Sequence, residues 1–413
     1  MTNVAFPNTA QTARRAGVLQ GVLLLAGSCM PVLGSVLITP VLPQLSAEFA
    51  GVAGAEILVP MVVAIPALMI AIFSPFAGQI VDRVGRKWLL IITMFAYAIA
   101  GTAPVWLTGL PEILISRVFV GICEAAIMTV CTTLIVDYFH EERRRRRYLG
   151  LQTVVTSLAA TVFIALGGAL GVGGWHTPFW VYLVSVLIAI PMIFALWEPG
   201  GDATDRHAAA GERVRVPWRR IAGPLVVTLF GGFTFYVLII EVSYLVVATG
   251  VAATDTAVIG GVATAASLAA AVGGLSFARL GRLPHKVLLP LAFGLQAVGM
   301  LVVWLVGGMG GIVAGAVIAS LGSGILLPTL LTWVVAATKF EERGRVTGWW
   351  TATFFLGQFL TPILMAAISA GTGGLSMAVG VVGIAALVVG VVVALITRSD
   401  SRAEAPGEPV SHH

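Results

Sequence analysis

Residues 78–87 read Gly78-Gln79-Ile80-Val81-Asp82-Arg83-Val84-Gly85-Arg86-Lys87, directly after a long apolar run and directly before another. This loop is strongly charged, yet charged residues make up only 10% of the 413-residue chain and hydrophobic residues make up 58%. A soluble domain carries about 25% charged residues, so this chain has too little polar surface to face water on all sides. The composition is that of an integral membrane protein, in which the charged loop joins two membrane-spanning helices.

Outside this loop the chain contains twelve apolar stretches of the length that crosses a bilayer, for which about 20 residues are needed. They are uninterrupted runs, unlike the alternating segments of an outer-membrane barrel. We therefore predict an all-α integral membrane protein with twelve transmembrane helices. The predicted spans 1 to 12 are residues 17–39, 56–78, 88–108, 113–136, 148–172, 178–197, 221–246, 256–279, 286–307, 309–335, 346–369 and 373–397.

The basic residues indicate an orientation. Of the 24 lysines and arginines, all but Arg117 lie in the termini or in alternate loops that share one side of the membrane. Because positively charged loops stay in the cytoplasm, we predict a multi-pass protein of the cell (inner) membrane with both termini cytoplasmic. The run Arg143–Arg147 belongs to this border and lies beside Glu141 and Glu142, so we expect no nucleic-acid partner.

The two halves of the chain resemble each other. The loop after span 2 has a counterpart after span 8, where Gly274, Arg279, Gly281 and Arg282 stand at the positions of Gly78, Arg83, Gly85 and Arg86. A polar segment divides six spans from six. We predict two pseudo-symmetric six-helix bundles, residues 1–199 and 219–413, joined by a cytoplasmic linker at 200–218, as in transporters whose site lies between two repeats.

The loop at 78–87 resembles the signature loop of the major facilitator superfamily, G-x-x-x-D-R-x-G-R-[KR], and it stands in the expected place between spans 2 and 3. In that family the loop closes the cytoplasmic side, where span 2 meets span 11. The resemblance implies a cytoplasmic gate formed by Gly78, Asp82, Arg83, Gly85 and Arg86, with Arg279, Gly281 and Arg282 in the second copy. Ala278 replaces the acid of the first copy, so we expect the gate to be asymmetric.

Three ionisable residues lie well inside the spans: Arg117 and Glu124 in span 4, and Glu241 in span 7. Each costs at least a few kcal/mol unless it is paired or faces water, so each is a candidate functional residue. Arg117 and Glu124 lie on one helix face about 10 Å apart, which is too far for a direct bond, so we expect each to have another partner or to meet water. A structural ion pair that ties span 4 to a neighbour is the alternative interpretation.

Arg117 and Gly121 resemble the span-4 motif R-x-x-x-G that the family associates with proton transfer. We predict that Glu124 carries the proton, while Arg117 perturbs a carboxylate or binds an anionic substrate. Glu241, with Tyr236 and Tyr244 near it, has several open roles: a substrate- or cation-binding carboxylate, an extracellular-gate partner, or an interfacial side chain. Gln358, a full amide inside span 11, is a further candidate for substrate contact.

At the cytoplasmic end of span 4, Asp137 is expected to pair with Arg143–Arg147.

These features predict a secondary active transporter for a small organic solute. The residues leaving span 1 (38–45) and those in span 11 (354–362) resemble bacterial drug and metabolite efflux proteins, which favours proton-coupled export. Two departures favour the alternative of a proton-coupled uptake symporter for a small organic acid: Phe163-Ile164 replaces Gly-Pro before Gly167-Gly168 in span 5, and span 1 has no carboxylate. A non-transporting sensor is a less favoured possibility.

An enzyme is not expected, because the sequence has no Walker loop and no G-x-S-x-G motif. Since His140, His176, His207 and His285 all lie outside the predicted spans and form no ligand pattern, we expect no metal site and no cofactor. The expected partners are a small-molecule substrate, protons and the lipid bilayer, and we expect a monomer.

Overall fold

A computed structural model describes residues 16–77, 81, 85–199, 216–336, 338–339 and 342–403. Within these ranges the chain forms helices and short connections, with no β-strand. Twelve of these helices are long and apolar enough to cross a membrane, which confirms the predicted fold class. Spans 1 to 12 are Val18–Glu48, Ala55–Phe73, Lys87–Val105, Leu110–Tyr138, Glu142–Gly171, Thr177–Ala195, Trp218–Ala248, Thr256–Leu280, His285–Val306, Gly308–Ala336, Arg343–Thr372 and Leu375–Ile396.

Several spans are longer than their apolar runs predict. Span 5 begins at Glu142 and not near residue 148, because the arginine run forms its first turns. Only Gly307 separates spans 9 and 10. Gly307 and Gly308, the first residue of span 10, have φ angles of 62° and 61°, in the left-handed region. Only glycine adopts that backbone without strain, so these two residues suffice to turn the chain. We call the end that carries the basic loops the arginine-rich end, and the other the opposite end.

Span 1 is interrupted twice. It consists of helices at Val18–Gly27, Met30–Val36 and Leu42–Glu48, with a single 3₁₀ turn at Thr39–Val41 before the last. Prolines stand in the first positions of the later segments, where the missing N–H has no helical partner to lose. The middle segment, Met30–Val36, is therefore a short helix bounded by turns at residues 28–29 and 37–38.

Helix packing repeats with a period of six spans. In the first half, span 4 packs on spans 2 and 3, and span 6 packs on span 3; in the second, span 10 packs on spans 8 and 9, and span 12 packs on span 9. Between the halves, span 2 packs on span 11, span 5 packs on span 8, and span 1 meets span 7. This pattern is that of two pseudo-symmetric bundles. The boundaries at 199 and 219 stay a prediction, because most of the linker lies outside the described residues.

Glycines bring the helix backbones into direct contact. A Cβ atom on Gly324 of span 10 would lie 2.0 Å from the Ala270 carbonyl oxygen of span 8, and one on Gly357 of span 11 would lie 2.2 Å from the Leu229 oxygen of span 7. Lipid tails are as apolar as the side chains, so the hydrophobic effect does not drive helices together within a membrane. Such helices associate instead through close packing of this kind.

We predict that Gly324→Val lowers the free energy of unfolding by about 1–3 kcal/mol, since the added side chain forces two backbones apart. Gly310→Val is the matched control in the same span, where a Cβ atom would meet nothing within 4 Å. Thermal unfolding of the purified proteins in detergent measures the difference. Equal midpoints for the two variants would show that this backbone contact contributes nothing to stability.

Candidate functional site

Arg117 is completely buried between spans 3, 4 and 6. Its Nη1 donates to the Tyr182 hydroxyl at 3.0 Å, and its Nη2 donates to the carbonyl oxygens of Ala100 and Gly101 at 2.9 and 3.1 Å. A Cβ atom on Gly101 would lie 2.0 Å from the Tyr182 ring, so only glycine at this position permits the ring to pack against span 3. The expectation that Arg117 has partners other than Glu124 is confirmed.

The guanidinium also donates from Nε to the Ser116 hydroxyl at 3.3 Å, and it lies over two aromatic rings. Its central carbon lies 5.2 Å from the ring centre of Phe179 and 5.2 Å from that of Tyr182. Cations gain energy over aromatic faces, and most where water is excluded. The charge of Arg117 is therefore held by carbonyl dipoles and rings, and its immediate role is to clamp span 4 to spans 3 and 6.

Glu124 is also completely buried, and its carboxyl group lies against the backbone of span 1. A Cβ atom on Gly34 would lie 1.8 Å from Glu124 Oε1. The hydroxyl of Tyr97 lies 3.5 Å from Oε1 and donates to the Met30 carbonyl oxygen at 2.6 Å. Glu124 Oε2 is buried and has no hydrogen-bond partner among the described residues.

The proton count at this carboxyl favours its neutral form. A phenol has one proton, and Tyr97 gives it to the Met30 carbonyl, which can only accept. A hydrogen bond between Tyr97 and Glu124 then requires that Glu124 donate. A bare carboxylate would leave Oε2 buried and unpaired, at a cost of several kcal/mol. The geometry suits a carboxylic acid.

Four buried polar groups form a continuous chain through the first half. Arg117 bonds Tyr182, the Tyr182 and Tyr97 ring centres are 5.1 Å apart, and Tyr97 reaches Glu124. The structure thus brings the two predicted span-4 residues into one network, by way of two tyrosines.

The other two predicted residues lie elsewhere. Glu241 and Gln358 are 6% and 5% exposed, and neither makes a hydrogen bond or ion pair with a described residue. Tyr244 lies near Glu241, as expected, and contacts Ser46 Oγ at 2.9 Å. Tyr236 does not accompany Glu241; its hydroxyl reaches across to spans 1 and 2.

The second half has a neutral cluster in the corresponding spans. The Thr234 hydroxyl of span 7 bonds Gln296 Oε1 of span 9 at 3.0 Å, and Gln296 Nε2 donates to Ser323 Oγ of span 10 at 2.8 Å. In the first half, spans 1, 3 and 4 meet in the same way through Met30, Tyr97 and Glu124. The pseudo-symmetry therefore places an ionisable cluster in one bundle and an amide-hydroxyl cluster in the other.

At the arginine-rich end, the helix of span 3 that follows the signature loop is capped by a carboxylate that follows another span. Glu198, just after span 6, accepts from the backbone N–H groups of Arg86 and Lys87 at 2.7 and 2.8 Å. A carboxylate at a helix N-terminus is stabilised by the helix dipole. The Arg86 side chain pairs with Asp137 at the end of span 4, so the expectation that Asp137 pairs with Arg143–Arg147 was wrong. Gly78, Asp82 and Arg83 lie outside the described residues.

The two copies of the loop differ in backbone. Gly85 has φ 89°, in the left-handed region, whereas Gly281 has φ −62° and simply ends span 8. Arg279 and Arg282 are exposed, and neither forms a salt bridge with a described residue. Their role in a gate stays a prediction.

The two halves touch at both ends. At the arginine-rich end, a Cβ atom on Gly348 of span 11 would lie 3.3 Å from the Pro75 Cα atom, just after span 2. At the opposite end, one on Gly168 of span 5 would lie 2.8 Å from Gly260 of span 8, and the Thr256 hydroxyl donates to the Gly168 carbonyl oxygen at 2.8 Å. Both contacts are of backbone against backbone, without a salt bridge between described residues.

Sequence reasoning missed Tyr97, Tyr182, Gln296 and Glu198. The tyrosines carried a usable signal, because a phenol inside a span needs a hydrogen-bond partner. Counting them as hydrophobic residues concealed it. Glu198 lies close to the end of span 6 in the sequence, and only the fold shows that it meets the start of span 3.

We expect Arg117→Lys to lower the free energy of unfolding by about 1.5–3 kcal/mol, because an ammonium cannot reproduce the fork of charged hydrogen bonds. Arg219→Lys is the control, since Arg219 is exposed. Thermal unfolding of both variants is the measurement. If Arg117→Lys is as stable as Arg219→Lys, the clamp between spans 3, 4 and 6 is not a stabilising feature.

We further expect Gly168→Val and Gly348→Val to open different ends, because each wedges one contact between the halves. The readout is labelling by a membrane-impermeant maleimide of Thr39→Cys at the opposite end or Ser74→Cys at the arginine-rich end. Gly168→Val should raise the labelling of the first and Gly348→Val that of the second. Gly261→Val, where a Cβ atom meets nothing, should change neither. Identical labelling in all three variants would contradict the assignment.

Comparison with known proteins places the chain in a family. Residues 23–254 and 224–412 match the model of the Major Facilitator Superfamily. The chain is 29% identical over 175 residues to tetracycline resistance protein, class H, of Pasteurella multocida, covering 42% of this chain and 43% of that protein. It is 22% identical over 204 residues to quinolone resistance protein NorA of Staphylococcus aureus, covering 49% and 52%. These matches span about half of each relative.

A longer match, 24% identical over 354 residues, is to tetracycline resistance protein, class D, of Salmonella ordonez and covers 84% of this chain and 89% of that protein. Two solved structures share the fold. A D-xylose-proton symporter has a TM-score of 0.73 at 14% identity, covering 91% of this chain and 97% of that one. A bacterial homologue of the human lysosomal transporter Spinster has 0.67 at 17%, covering 93% and 96%. The chain belongs to the Major Facilitator Superfamily.

Proposed function

We propose that this protein exports a small organic solute across the inner membrane in exchange for protons, by alternating access. The observation that carries the proposal is Glu124, a carboxyl group that is completely enclosed within a span and has one oxygen unpartnered. An intramembrane carboxyl in a transporter marks a proton or substrate pathway by default. Its neutral fit in the structure supports the first of these.

The cycle follows from the cost of burying charge. Glu124 can lose its proton only when water or a cation reaches it, because an isolated carboxylate in a dry site costs several kcal/mol. When one end opens, water reaches the carboxyl and the proton exchanges with that side. When the halves close again, the protonated form is favoured inside, and the proton is carried to the other side.

The contacts between the halves support such alternation. Gly168 and Gly260 separate when the opposite end opens, and Gly348 and Pro75 separate when the arginine-rich end opens. Each of these two contacts is made by backbone atoms, and the Thr256 hydroxyl adds one hydrogen bond at the opposite end. Backbone packing and a few hydroxyl bonds, each about 1 kcal/mol, can be made and broken in every cycle.

Export is supported by the relatives, which are named for tetracycline and quinolone resistance. The alternative is proton-coupled uptake of a small organic acid, with Arg117 as the anion anchor. Arg117 is completely enclosed and bonded to the Ala100 and Gly101 carbonyls and the Tyr182 hydroxyl, so an anion would have to displace these partners. This favours export. A non-transporting sensor is the least supported alternative.

We also propose that the arginine-rich end, with both termini, faces the cytoplasm, and that the protein acts as a monomer without enzyme activity. The excess of positive charge at that end supports the orientation.

A ligand-stabilisation screen that includes tetracycline and a quinolone selects the cargo, and inverted vesicles with an imposed pH gradient then test transport. We expect the cargo to dissipate the gradient with the wild-type protein. Glu124→Gln should lower this exchange at least tenfold, because its side chain cannot carry the proton. Glu142→Gln is the control, because Glu142 is an exposed carboxyl outside the Glu124 network, and it should retain coupling.

Full coupling in Glu124→Gln would refute the assignment of the proton carrier. Cargo accumulation in right-side-out vesicles, driven by the same gradient, would instead establish uptake by symport.

A further inference from the structure

Tyr236 connects the two halves of the molecule beside Glu124. It belongs to span 7, in the second half, and is 1% exposed. Its hydroxyl lies 3.0 Å from the Ser35 carbonyl oxygen of span 1 and 3.1 Å from the Val63 carbonyl oxygen of span 2, both in the first half. A phenol has one proton, so these two carbonyls share a single donor. The hydroxyl therefore ties span 7 to spans 1 and 2 at once.

The acceptor of this bond is one residue from the Glu124 contact. Gly34 is the residue against which the Glu124 carboxyl lies, and a Cβ atom there would also be 3.1 Å from the Tyr97 hydroxyl. Both Gly34 and Ser35 belong to the short middle helix of span 1, Met30–Val36, which is interrupted on both sides. Movement of the Glu124 carboxyl therefore acts on the same short segment that holds Tyr236.

We propose that Tyr236 is the positioning residue that couples the protonation of Glu124 to closure of the opposite end, through the segment Met30–Val36. The inference rests on the proposed function, in which Glu124 carries the proton. Tyr236 itself exchanges no proton. Its hydrogen bond to the Ser35 carbonyl links movement of span 1 to span 7, and so to the second half.

The direction of the effect follows from electrostatics. Neutral Glu124 tolerates the Met30 carbonyl oxygen and the Gly34 backbone beside it, whereas a carboxylate repels carbonyl oxygens and competes for the Tyr97 proton. Loss of the proton thus displaces the middle segment of span 1 and weakens its bond to Tyr236. The opposite end is held closed when Glu124 is protonated and is released when it is not.

Other charged and titratable groups also face Glu124, and they affect how its protonation depends on pH. Span 1 contributes only backbone groups at this point. The side chains are Tyr97 of span 3, Arg117 and Cys123 of span 4, Tyr182 of span 6 and Tyr236 of span 7.

A second tyrosine on the same span provides a matched control. Tyr244 also reaches from span 7 to span 1, where its hydroxyl contacts Ser46 Oγ at 2.9 Å. This bond lies beyond the middle segment, in the last helix of span 1. Tyr236→Phe and Tyr244→Phe thus each remove one hydrogen bond between the halves, but only the first removes a bond to the segment that contacts Glu124.

The test measures how closure of the opposite end depends on pH. Spin labels on Ala53→Cys and Thr254→Cys, both exposed and in loops of different halves, give the distance across that end in the full-length protein; the native cysteines are buried. Distances are collected from about pH 5 to about pH 9. This range includes pKa values that have been documented for buried carboxyl groups in other proteins. We expect the wild-type closed population to be largest in acid and to fall as the pH rises.

Each variant has a distinct expected result. Glu124→Gln should keep one population at every pH. Tyr236→Phe should reduce the closed-to-open ratio in acid about fivefold, as the loss of one ordinary hydrogen bond would, and should abolish the pH dependence. Tyr244→Phe should reduce the ratio similarly but preserve the pH dependence. If Tyr236→Phe cannot be purified folded, Tyr236→Met, which also lacks the hydroxyl, carries the same expectation.

The outcomes separate the two proposals. If Glu124→Gln abolishes the response and Tyr236→Phe retains it, the role of Tyr236 is refuted while Glu124 stands as the proton carrier. If Glu124→Gln responds like the wild type, both proposals fall. If Tyr244→Phe abolishes the response as Tyr236→Phe does, the coupling belongs to any bond between the halves and the special role of Tyr236 is refuted.

Discussion

The burial of one carboxyl group, Glu124, is the constraint on which the rest of the site depends. A carboxylate in a water-free interior is unstable unless it is paired, and the structure pairs Glu124 only weakly, with Tyr97 at 3.5 Å. The carboxyl must therefore be neutral or meet water. Gly34 leaves room for this group against the backbone of span 1, where a Cβ atom would lie 1.8 Å from Oε1.

The two bundles share one packing plan but differ in chemistry at its centre. In the first half, the meeting point of spans 1, 3 and 4 contains an acid; in the second, spans 7, 9 and 10 meet at a threonine, a glutamine and a serine that satisfy one another. A neutral network that is fully bonded is rigid, whereas an ionisable one changes with its proton. This difference supports a division in which the first half responds to protons and the second follows through span 7.

Much of this could be predicted from the sequence because membranes impose simple rules. The length of the apolar runs predicted the twelve spans, and the positions of the basic residues predicted which loops lie at the same end. Arg117 and Glu124 were identified because ionisable residues are rare within membrane spans. The contacts could not be predicted in the same way. Asp137 was assigned to the nearby Arg143–Arg147, but the fold brings Arg86 to it. Tyr236 was grouped with Glu241 because they are neighbours in sequence, although a difference of five residues points them to different sides of a helix. Tertiary packing decides such pairings, and one sequence does not contain them explicitly.

We propose that Glu124 is a protonated carboxylic acid when it is enclosed between spans 1, 3 and 4. Infrared difference spectroscopy of the purified protein across a pH titration measures this directly, through the carbonyl stretch that only a protonated carboxyl gives. We expect a band that persists well above the pH at which an exposed glutamate ionises, about 4.3, and that is absent from Glu124→Gln. If the wild-type protein shows only carboxylate bands near neutrality, Glu124 is ionised and the proposed protonated state is wrong. The same holds if Glu124→Gln retains every protonated-carboxyl band of the wild type.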